Sequence, residues 1–511
     1  IDGWDVSNVT DMSSMFQNAK AFTGGGPIYY IYGSWNVEKV TTMENMFAGA
    51  ESFSEDLGQW TLRSITNMKN MFTSPVGKGM TCSDYSHSLH GWARNPHTNT
   101  GVDFTVQSNR VYNAIGKIAR DSLMKPIANG GRGWTISGDS YDELCGMCVW
   151  TGAVSTDVAD YGNWQGGWRP WDVSNPGGFE NHVSVFISHT ATNDMHITPL
   201  PATPPYARYW LFDNLINRTN KKVVVEPGAN LYVNFDVYGS STPADADKIV
   251  VKADDTNPNG TLILGGQPCD KPVYATVEMY SKAHKSSSPV TWTDNIPTSP
   301  TNGQSMSASY KWQYIGVPVD GEVANAFYGS YVRKYDETLN DPNHYYGKWR
   351  KIGANETWQP LVPFAGYEVT SRSPKVYVFK GRLLHCPQEL TLTRQAAEVT
   401  AVASSVTDPR YRRWELGRNL FGNSYTAALN ISNGKLFVDL EASYAIGREP
   451  IEATVYIYNT GSVADWNGGS TGSGAGQYVA VPMRNATLLS EQFISSMQGF
   501  MLKFKEDTLR I

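Results

Sequence analysis

The sequence predicts a mainly β protein with several domains, in which a short solenoid of repeats precedes two β-rich modules. Three observations support this class. One phrase occurs three times, as WDVSNVTDMSSMF at residues 4–16, WNVEKVTTMENMF at 35–47 and WTLRSITNMKNMF at 60–72. From residue 147 onward, short alternating apolar runs are separated by Gly, Pro and Asn, as in all-β proteins. A chain of 511 residues is also too long for one hydrophobic core.

The repeated apolar positions predict the core of the solenoid. Each copy has one Trp, two Met and one Phe at matching places, and a spacing of about 25 residues is typical of units that bury their apolar faces by stacking. We therefore expect a structural core here rather than a ligand site. The residues are Trp4, Met12, Met15, Phe16, Trp35, Met43, Met46, Phe47, Trp60, Met68, Met71 and Phe72.

Residues 81–146 are predicted to close the solenoid. Leu89 and Trp92 are at helical spacing, as are the apolar residues from Ala114 to Leu123, whereas FTV and WTI are typical of short strands. A solenoid needs a closing unit with a polar outer face, and this segment follows the third repeat directly.

The repeat phrase, the following CSDYSHSLHGWA and the final GWTISGD resemble the BspA-like leucine-rich repeats of bacterial surface proteins, especially those of Bacteroidetes. The resemblance implies an α/β leucine-rich-repeat solenoid at residues 1–80 with its closing repeat at 81–146. It also implies a secreted or surface-anchored protein whose repeats serve in adhesion, and it implies no catalytic residues. Because the chain begins inside a repeat, we expect a processed or cut piece of a longer protein.

Composition limits the partners and the compartment. A net charge of -6 and a pI near 5.9 disfavour nucleic acid, because no basic block is available to neutralise phosphates. No apolar run is long enough to span a membrane. High Trp, Tyr and Gly contents together with a charged fraction of only 18% are typical of β-rich extracellular proteins.

The five cysteines include a C-x-x-C formed by Cys145 and Cys148. No second C-x-x-C or nearby His pair completes a zinc site, and no βαβ pattern points to a redox enzyme. We interpret the pair as a local disulfide or as buried thiols at a domain junction.

The remaining chain divides into a β-rich module at residues 147–282, a linker at 283–308 and a β-sandwich at 309–511. In the first module, strands are expected on both sides of Pro227-Gly228 and of Asn259-Gly260, as a small β-solenoid or a β-sandwich. The linker is poor in apolar residues, which is typical of a mobile segment.

The last module contains KWQYIGVPV, FYGSYVRKYDE, PFAGYEVT, KVYVFKGRL, RRWELGRNLFGNSYTAALNI, ATVYIYNTG, GQYVAVPM and SSMQGFMLKF. This order is similar to the C-terminal β-sandwich modules of Bacteroidetes proteins exported by the type IX secretion system. The GNSY at residues 422–425 departs from the GNPY of that pattern. The resemblance implies export and partners in the secretion and surface-anchoring machinery.

The sequence indicates no active site. It contains no G-x-S-x-G, H-E-x-x-H or phosphate-binding glycine loop, and its histidines do not share one strand face. Asp255, Asn257 and Asn259 fit the head of a calcium loop, but Gly266 occupies the place of its last Glu, so a plain turn is the favoured interpretation. We expect no metal and no cofactor other than this weak calcium candidate.

Aromatic side chains in glycine-rich segments are the candidate binding residues, because flat rings stack on sugars or fill a partner's pocket. An alternative is that they close the ends of β modules as minor cores. The candidates are Tyr29, Tyr30, Tyr32, Trp164, Trp168, Trp171, Tyr345, Tyr346 and Trp349.

These observations predict a non-enzymatic, secreted or cell-surface bacterial protein of the adhesin type, with a host or matrix protein or a glycan as its ligand. One alternative is a glycan-binding module of a polysaccharide-utilising apparatus. Others are a passive stalk or secretion cargo, and a hydrolase whose carboxylates are paired only in space.

Overall fold

The computed structural model forms two compact units, one of residues 1–149 and 183–186 and the other of residues 150–182 and 187–511. It is mainly β, with two α-helices and several sheets among the described residues. The described residues are 4–24, 35–106, 110–167, 170, 183–200, 209–281, 285–293, 301–310, 313–321, 324–337, 349–351, 361–371, 373–393, 417–431, 454–459, 477–482, 493–503 and 508–510.

The first unit contains both helices. Their apolar faces follow the spacing expected from the sequence, and the two expected short strands are also present. The elements are α1 (Cys82–Arg94), β1 (Asp103–Thr105), β2 (Val111–Tyr112), α2 (Ala114–Met124), β3 (Thr135–Ser137) and β4 (Ser140–Tyr141). Strands β5 (Cys148–Trp150) and β6 (Val185–Ile187) each contain residues of both units.

The three repeats are joined by a parallel ladder that has one residue pair per step. Single bridges link Asp11 to Thr42, Thr42 to Asn67 and Asn67 to Asp103, and Asp103 in β1 then pairs with Thr135 in β3. The segment after the third repeat therefore adds two further layers to the same ladder. The bridged residues Asp11, Thr42 and Asn67 hold matching positions of the three sequence copies.

Each repeat turns at a residue with a left-handed backbone. Ser14, Asn45 and Asn70 have φ angles of 57°, 56° and 56°, and each lies two residues after the first Met of its copy. Asn adopts this conformation more readily than most residues do. Two of the three copies therefore carry the residue that suits the turn.

Side-chain caps fix the start of both helices. The Thr81 hydroxyl accepts a hydrogen bond from the Asp84 amide before α1, and the Asn113 side chain accepts from Ile115 and Gly116 before α2. Such caps complete amide groups that lack a partner inside the helix. On its buried face, α1 contributes Trp92, whose indole nitrogen donates to the Leu57 carbonyl at 2.9 Å.

An ion pair is buried between α2 and the chain after β3. The Arg120 guanidinium donates to both carboxylate oxygens of Asp139 at 3.0–3.2 Å, and the Asp139 side chain is 0% exposed. The Tyr85 hydroxyl donates to the same carboxylate at 3.0 Å. Burial, and then the Asp139 charge, raise the pKa of Tyr85, so its hydroxyl keeps the donated proton.

The first half of the second unit contains three series of parallel strands, in which each strand pairs with a strand that follows or precedes it in the chain by a few elements. Strands β7, β10, β13 and β15 form one parallel series, β8, β11 and β14 a second, and β9 and β12 a third. The strands are β7 (Met195–Ile197), β8 (Trp210–Phe212), β9 (Leu215–Ile216), β10 (Val223–Val225), β11 (Asn230–Val233), β12 (Val237–Tyr238), β13 (Ile249–Val251), β14 (Thr261–Leu264) and β15 (Tyr274–Tyr280).

The strands expected on either side of Asn259-Gly260 are both present. The strands on either side of Asn259-Gly260, β13 and β14, are not paired with each other, because β13 pairs with β10 and β15 whereas β14 pairs with β11. Alternating strands separated by an Asn-Gly dipeptide are also typical of a hairpin, and local sequence does not distinguish the two arrangements. The structure has parallel pairing of each strand within its own series and not a hairpin between β13 and β14.

Antiparallel sheets make up the rest of the second unit, and each of the eight strand-like runs of the last module contains a described strand. Strand β23 extends the first parallel series by pairing with β15. The strands are β16 (Lys285–Thr293), β17 (Ser305–Tyr310), β18 (Gln313–Ile315), β19 (Val319–Asp320), β20 (Ser330–Tyr335), β21 (Trp349–Lys351), β22 (Tyr367–Ser371), β23 (Val376–Leu383), β24 (Thr391–Thr393), β25 (Arg418–Gly422), β26 (Leu429–Asn430), β27 (Thr454–Asn459), β28 (Gln477–Pro482), β29 (Phe493–Ile494), β30 (Gly499–Lys503) and β31 (Thr508–Arg510).

The segment interpreted as a mobile linker, residues 283–308, contains most of an antiparallel strand pair. Strands β16 and β17 pair from Lys285 with Tyr310 to Thr293 with Ser305. The strands are rich in Ser and Thr, so they lack the alternating apolar residues that mark a strand in sequence. Backbone hydrogen bonds nevertheless hold them, and these bonds leave no trace in composition.

Candidate functional site

Aromatic side chains at matching positions of successive repeats form two columns. Trp35 lies between Trp4 and Trp60, with ring centroids 6.4 Å apart in both steps. The second column is Phe16, Phe47 and Phe72, with steps of 5.5 and 6.0 Å. Of the other repeat-core residues, Met15 is half-buried, as is Phe16, whereas Met12, Met43, Met46, Met68 and Met71 are buried.

Trp4 departs from the expected core. Its ring stacks on Trp35, yet 53% of the residue is exposed, whereas Trp35 and Trp60 are 3% and 1% exposed. The repeat pattern assigns all three to one class, but burial depends on having a neighbour on both sides. Trp4 is therefore an exposed aromatic side chain at one edge of the described repeats.

Polar links between matching positions cover the outside of the repeats. The Thr41 and Thr66 hydroxyls each donate to the carbonyl of the matching Thr in the preceding repeat at 3.0–3.1 Å. Arg63 pairs with Glu38 at 3.3 Å, and both side chains are exposed. Such exposed pairs add little stability. This surface is polar and mixed in charge, which suits a scaffold in contact with water.

A buried carboxyl group lies beneath Gly24 in the same unit. Glu55 is 5% exposed, and a Cβ atom on Gly24, whose φ is +117°, would lie 2.5 Å from Glu55 Oε1. Burial, and then the neighbouring Asp84 and Asp56 charges, raise the pKa of Glu55 from 4.5 to about 7. The folded protein therefore favours the neutral acid.

This carboxyl group predicts a pH dependence. Because folding raises the pKa of Glu55, the folded state binds the proton more tightly, and stability falls as the pH rises from 4.5 to about 7. Glu55→Gln should remove this contribution and gain stability relative to the parent above that window. Urea unfolding of both proteins across the window measures the difference, and parallel pH profiles would contradict it.

The cysteine pairing corrects the interpretation of the C-x-x-C. Cys145 is bonded to Cys82 at the start of α1, with Cα atoms 6.0 Å apart, and Cys148 is a buried free thiol. Cys148 is the first residue of β5, so the extended chain carries it away from the turn that holds Cys145. The second disulfide joins Cys269 to Cys386.

These assignments predict a specific chemical reactivity. Burial raises the pKa of the Cys148 thiol to about 12, so little thiolate forms near neutral pH. We expect iodoacetamide to leave the native protein unmodified and to label Cys148 alone after unfolding without reductant. Mass spectrometry of unreduced peptides should find Cys82 linked to Cys145. A peptide linking Cys145 to Cys148 would contradict the pairing.

Two candidate binding aromatics have structural positions instead. Trp164 is 3% exposed; its indole nitrogen donates to the Val158 carbonyl at 2.9 Å and its ring packs edge-on against Trp150. Trp349 lies in β21 rather than a loop, half-buried, with its ring centroid 5.1 Å from Tyr335. Glycine-rich surroundings resemble an exposed loop in sequence, but Trp164 is buried, whereas Trp349 is half-buried in a strand and its role in binding stays a prediction.

The remaining aromatic candidates lie outside the described residues. They are Tyr29, Tyr30, Tyr32, Trp168, Trp171, Tyr345 and Tyr346.

The weak calcium candidate at Asp255, Asn257 and Asn259 lies in a loop that is held by Asp254, the residue before it. The Asp254 carboxylate accepts hydrogen bonds from the Thr256 and Asn257 amides and from the Asn257 side chain at 2.7–2.9 Å. These hydrogen bonds organise the loop as a turn. Burial alone would raise the pKa of Asp254, but the hydrogen bonds from Asn257 and Thr256 lower it on balance. Within the described parts of the chain, no three His, Cys, Asp or Glu side chains are grouped as metal ligands.

A cavity of about 600 Å³ lies in the second unit beside the Cys269–Cys386 disulfide. Several of its charged side chains have structural partners. Glu337 is buried and accepts from the Gly417 amide at 2.7 Å, and Asp320 forms an ion pair with Arg382 between β19 and β23. The ion pair joins two neighbouring strands, and the Glu337 hydrogen bond fixes the chain at Gly417.

Comparisons with known proteins point to the bacterial surface. A family model described as "Mycoplasma protein of unknown function, DUF285" matches residues 1–110. The chain is 28% identical over 394 residues to the minor fimbrium subunit Mfa5 of Porphyromonas gingivalis. The chain is similar to a fimbrium subunit. The match covers 72% of the chain and 26% of that relative, so the chain spans about a quarter of its length. No solved structure matches.

The similarity to the fimbrium subunit extends well beyond the repeats, since 394 residues are more than twice the length of the first unit. Within the described residues, neither helix is long and apolar enough to cross a membrane. Sequence reasoning missed the cavity and the buried Glu55, because both depend on residues distant in the chain. A lone Glu in a repeat joint carries no signal of burial.

Proposed function

We propose that this chain is part of a non-enzymatic, adhesin-like subunit on the outer surface of a bacterium. The 28% identity to a fimbrium subunit over 72% of the chain carries this proposal. The structure is compatible with the role, because stacked repeats, two disulfides and a polar, mixed surface suit a rigid protein in an oxidising environment. Its partners are other surface subunits and a host or matrix macromolecule.

Three finer features belong to this proposal. The repeats are leucine-rich repeats of the BspA-like kind, supported by the parallel ladder of one pair per repeat. The parallel series of the second unit is a β-solenoid, supported by the pairing of strands one chain turn apart. Export follows the type IX route, supported by the sequence order of the last module.

The absence of an enzymatic activity is also part of the proposal. Several charged side chains of the large cavity have structural partners, as Glu337 does in Gly417 and Asp320 in Arg382, which supports this part of the proposal. A hydrolase remains the competing class, and release of reducing sugars or peptides from a polysaccharide and protein panel would support it.

Surface labelling tests the proposal. Antibodies raised against the purified chain should label intact cells of the bacterium that encodes it and should detect the chain in sheared surface filaments. An antibody against a cytoplasmic protein is the control and should label only lysed cells. Labelling of the chain only after lysis would overturn the surface role.

Ligand binding distinguishes an adhesin from a stalk. The purified chain on an array of matrix proteins and glycans should bind at least one member saturably. Preference for glycans would favour a glycan-binding module of a polysaccharide-utilising apparatus. Silence from a folded chain would favour a passive stalk or secretion cargo.

A further inference from the structure

A small pocket in the second unit is separate from the large cavity. Its volume is about 290 Å³, near the lower end of the range for small-molecule sites, which is about 300–1,000 Å³. The loop before β14, the end of β15, strand β18 and the turn between β29 and β30 form its walls. All of these elements belong to one compact unit.

Two amide side chains that line the pocket each have a buried atom without a hydrogen-bond partner among the residues that the structure describes. These atoms are Nε2 of Gln313 and Oδ1 of Asn259. Gln313 is only 3% exposed. Leaving such atoms unsatisfied is costly, so native proteins keep them mainly where a bound molecule or water completes them. Two residues that line the same pocket therefore each have an unsatisfied polar atom, one a donor and the other an acceptor.

The pocket wall is firmly built. Met497, which is 2% exposed, has a left-handed φ of 58°; its amide donates to Asn423 and its carbonyl accepts from Gly316, both at 2.9 Å. The Ser495 amide donates to the Gln498 side chain, also at 2.9 Å. These bonds hold the turn in one conformation, which lowers the ordering cost of binding.

We propose that this pocket binds one uncharged sugar ring of a glycan. Every described residue that lines it is neutral, which suits a ligand without charge. A sugar hydroxyl both donates and accepts hydrogen bonds, so neighbouring hydroxyls satisfy the Gln313 donor and the Asn259 acceptor together. Tyr280 and Tyr314 also line the pocket and supply the flat apolar surface on which a ring packs.

The strands of the wall disfavour a peptide as the occupant. A peptide that adds to a sheet needs an open strand edge. Strand β15 has β13 on one side and β23 on the other, and β18 has β22 on one side and a bridge from Ile315 to Gln498 on the other. The proposal goes beyond the surface role and does not depend on it, because the pocket belongs to the chain itself.

Saturation-transfer NMR with a panel of neutral methyl pyranosides tests the proposal on the full chain. We expect saturable binding of at least one pyranoside. Gln313→Met, which keeps the side-chain size but removes the amide, and Asn259→Ala should each weaken it about tenfold or more. Gln388→Met is the matched control, because Gln388 lines the large cavity instead, and it should bind as the parent does.

Thermal unfolding separates recognition from a structural role. Because Gln313 Nε2 has no partner within the described part of the chain, Gln313→Met should melt at the same temperature as the parent or higher while losing the sugar. Absence of binding by the folded parent to every pyranoside, as for a water-filled pocket, would overturn the proposal. Unchanged binding by both variants, or binding of a neutral blocked dipeptide in place of sugars, would also overturn it.

Discussion

Arg120→Met is expected to destabilise the first unit by about 3–5 kcal/mol, because it leaves a buried charge without its partner. The Asp139 side chain is 0% exposed and receives three hydrogen bonds from Arg120, all of which disappear. Hydrogen exchange of the α2 amides, followed by mass spectrometry in the full chain, measures the loss without requiring the two units to unfold together.

A second substitution identifies the cause. Arg120→Met combined with Asp139→Asn removes the buried charge and leaves an acceptor for the Tyr85 hydroxyl, so it should recover a large part of the lost stability. Lys117→Met is the control on the same helix, because Lys117 is exposed in its pair with Asp121 and should change stability little. A double variant as unstable as the single one would point to lost packing instead.

Trp60→Ala should cost about 3–5 kcal/mol, whereas Trp4→Ala at the matching position of the first repeat should cost about 1 kcal/mol or less. Trp60 is almost fully buried, so its removal leaves a cavity that the stacked rings cannot fill. Trp4 loses only one stacking contact and is already half in water.

Hydrogen exchange of the repeat amides compares the two variants in the same protein. The ladder amides, such as that of Met43, which donates to the Asn67 carbonyl at 2.9 Å, report the opening of the stack. Similar losses of protection in both variants would contradict the interpretation that the stabilising effect of each Trp depends on its burial between neighbouring repeats and not on its place in the motif.

The sequence predicted the features that repeat or alternate locally. The three phrases gave the stacked core, the helical spacing around Leu89 and Trp92 gave α1, and apolar alternation gave the strands of the last module. These signals arise because a buried face must recur with the period of its element. Trp4 shows the limit of the argument, since identical sequence positions differ in burial.

Features that depend on distant residues could not be predicted. The partner of Cys145 lies 63 residues away, beyond any motif, and β16 and β17 are held by backbone bonds rather than by apolar side chains. The sequence drew attention to Asn259 as a calcium ligand, yet Asn259 has a buried oxygen and lines a pocket together with Gln313 from another strand. Nothing in the sequence around Gln313 distinguishes it from an exposed Gln.

The disulfides also have a mechanical consequence for a chain that is pulled from its ends. Each disulfide carries the force across its own loop, so the residues between its two cysteines are not stretched. The loops span sequence separations of 63 and 117 residues. At the length of an extended residue, the two loops together would add about 600 Å to the contour length of the stretched chain, and the disulfides prevent this extension. Under load, the oxidised protein should therefore extend to a shorter length than its reduced form.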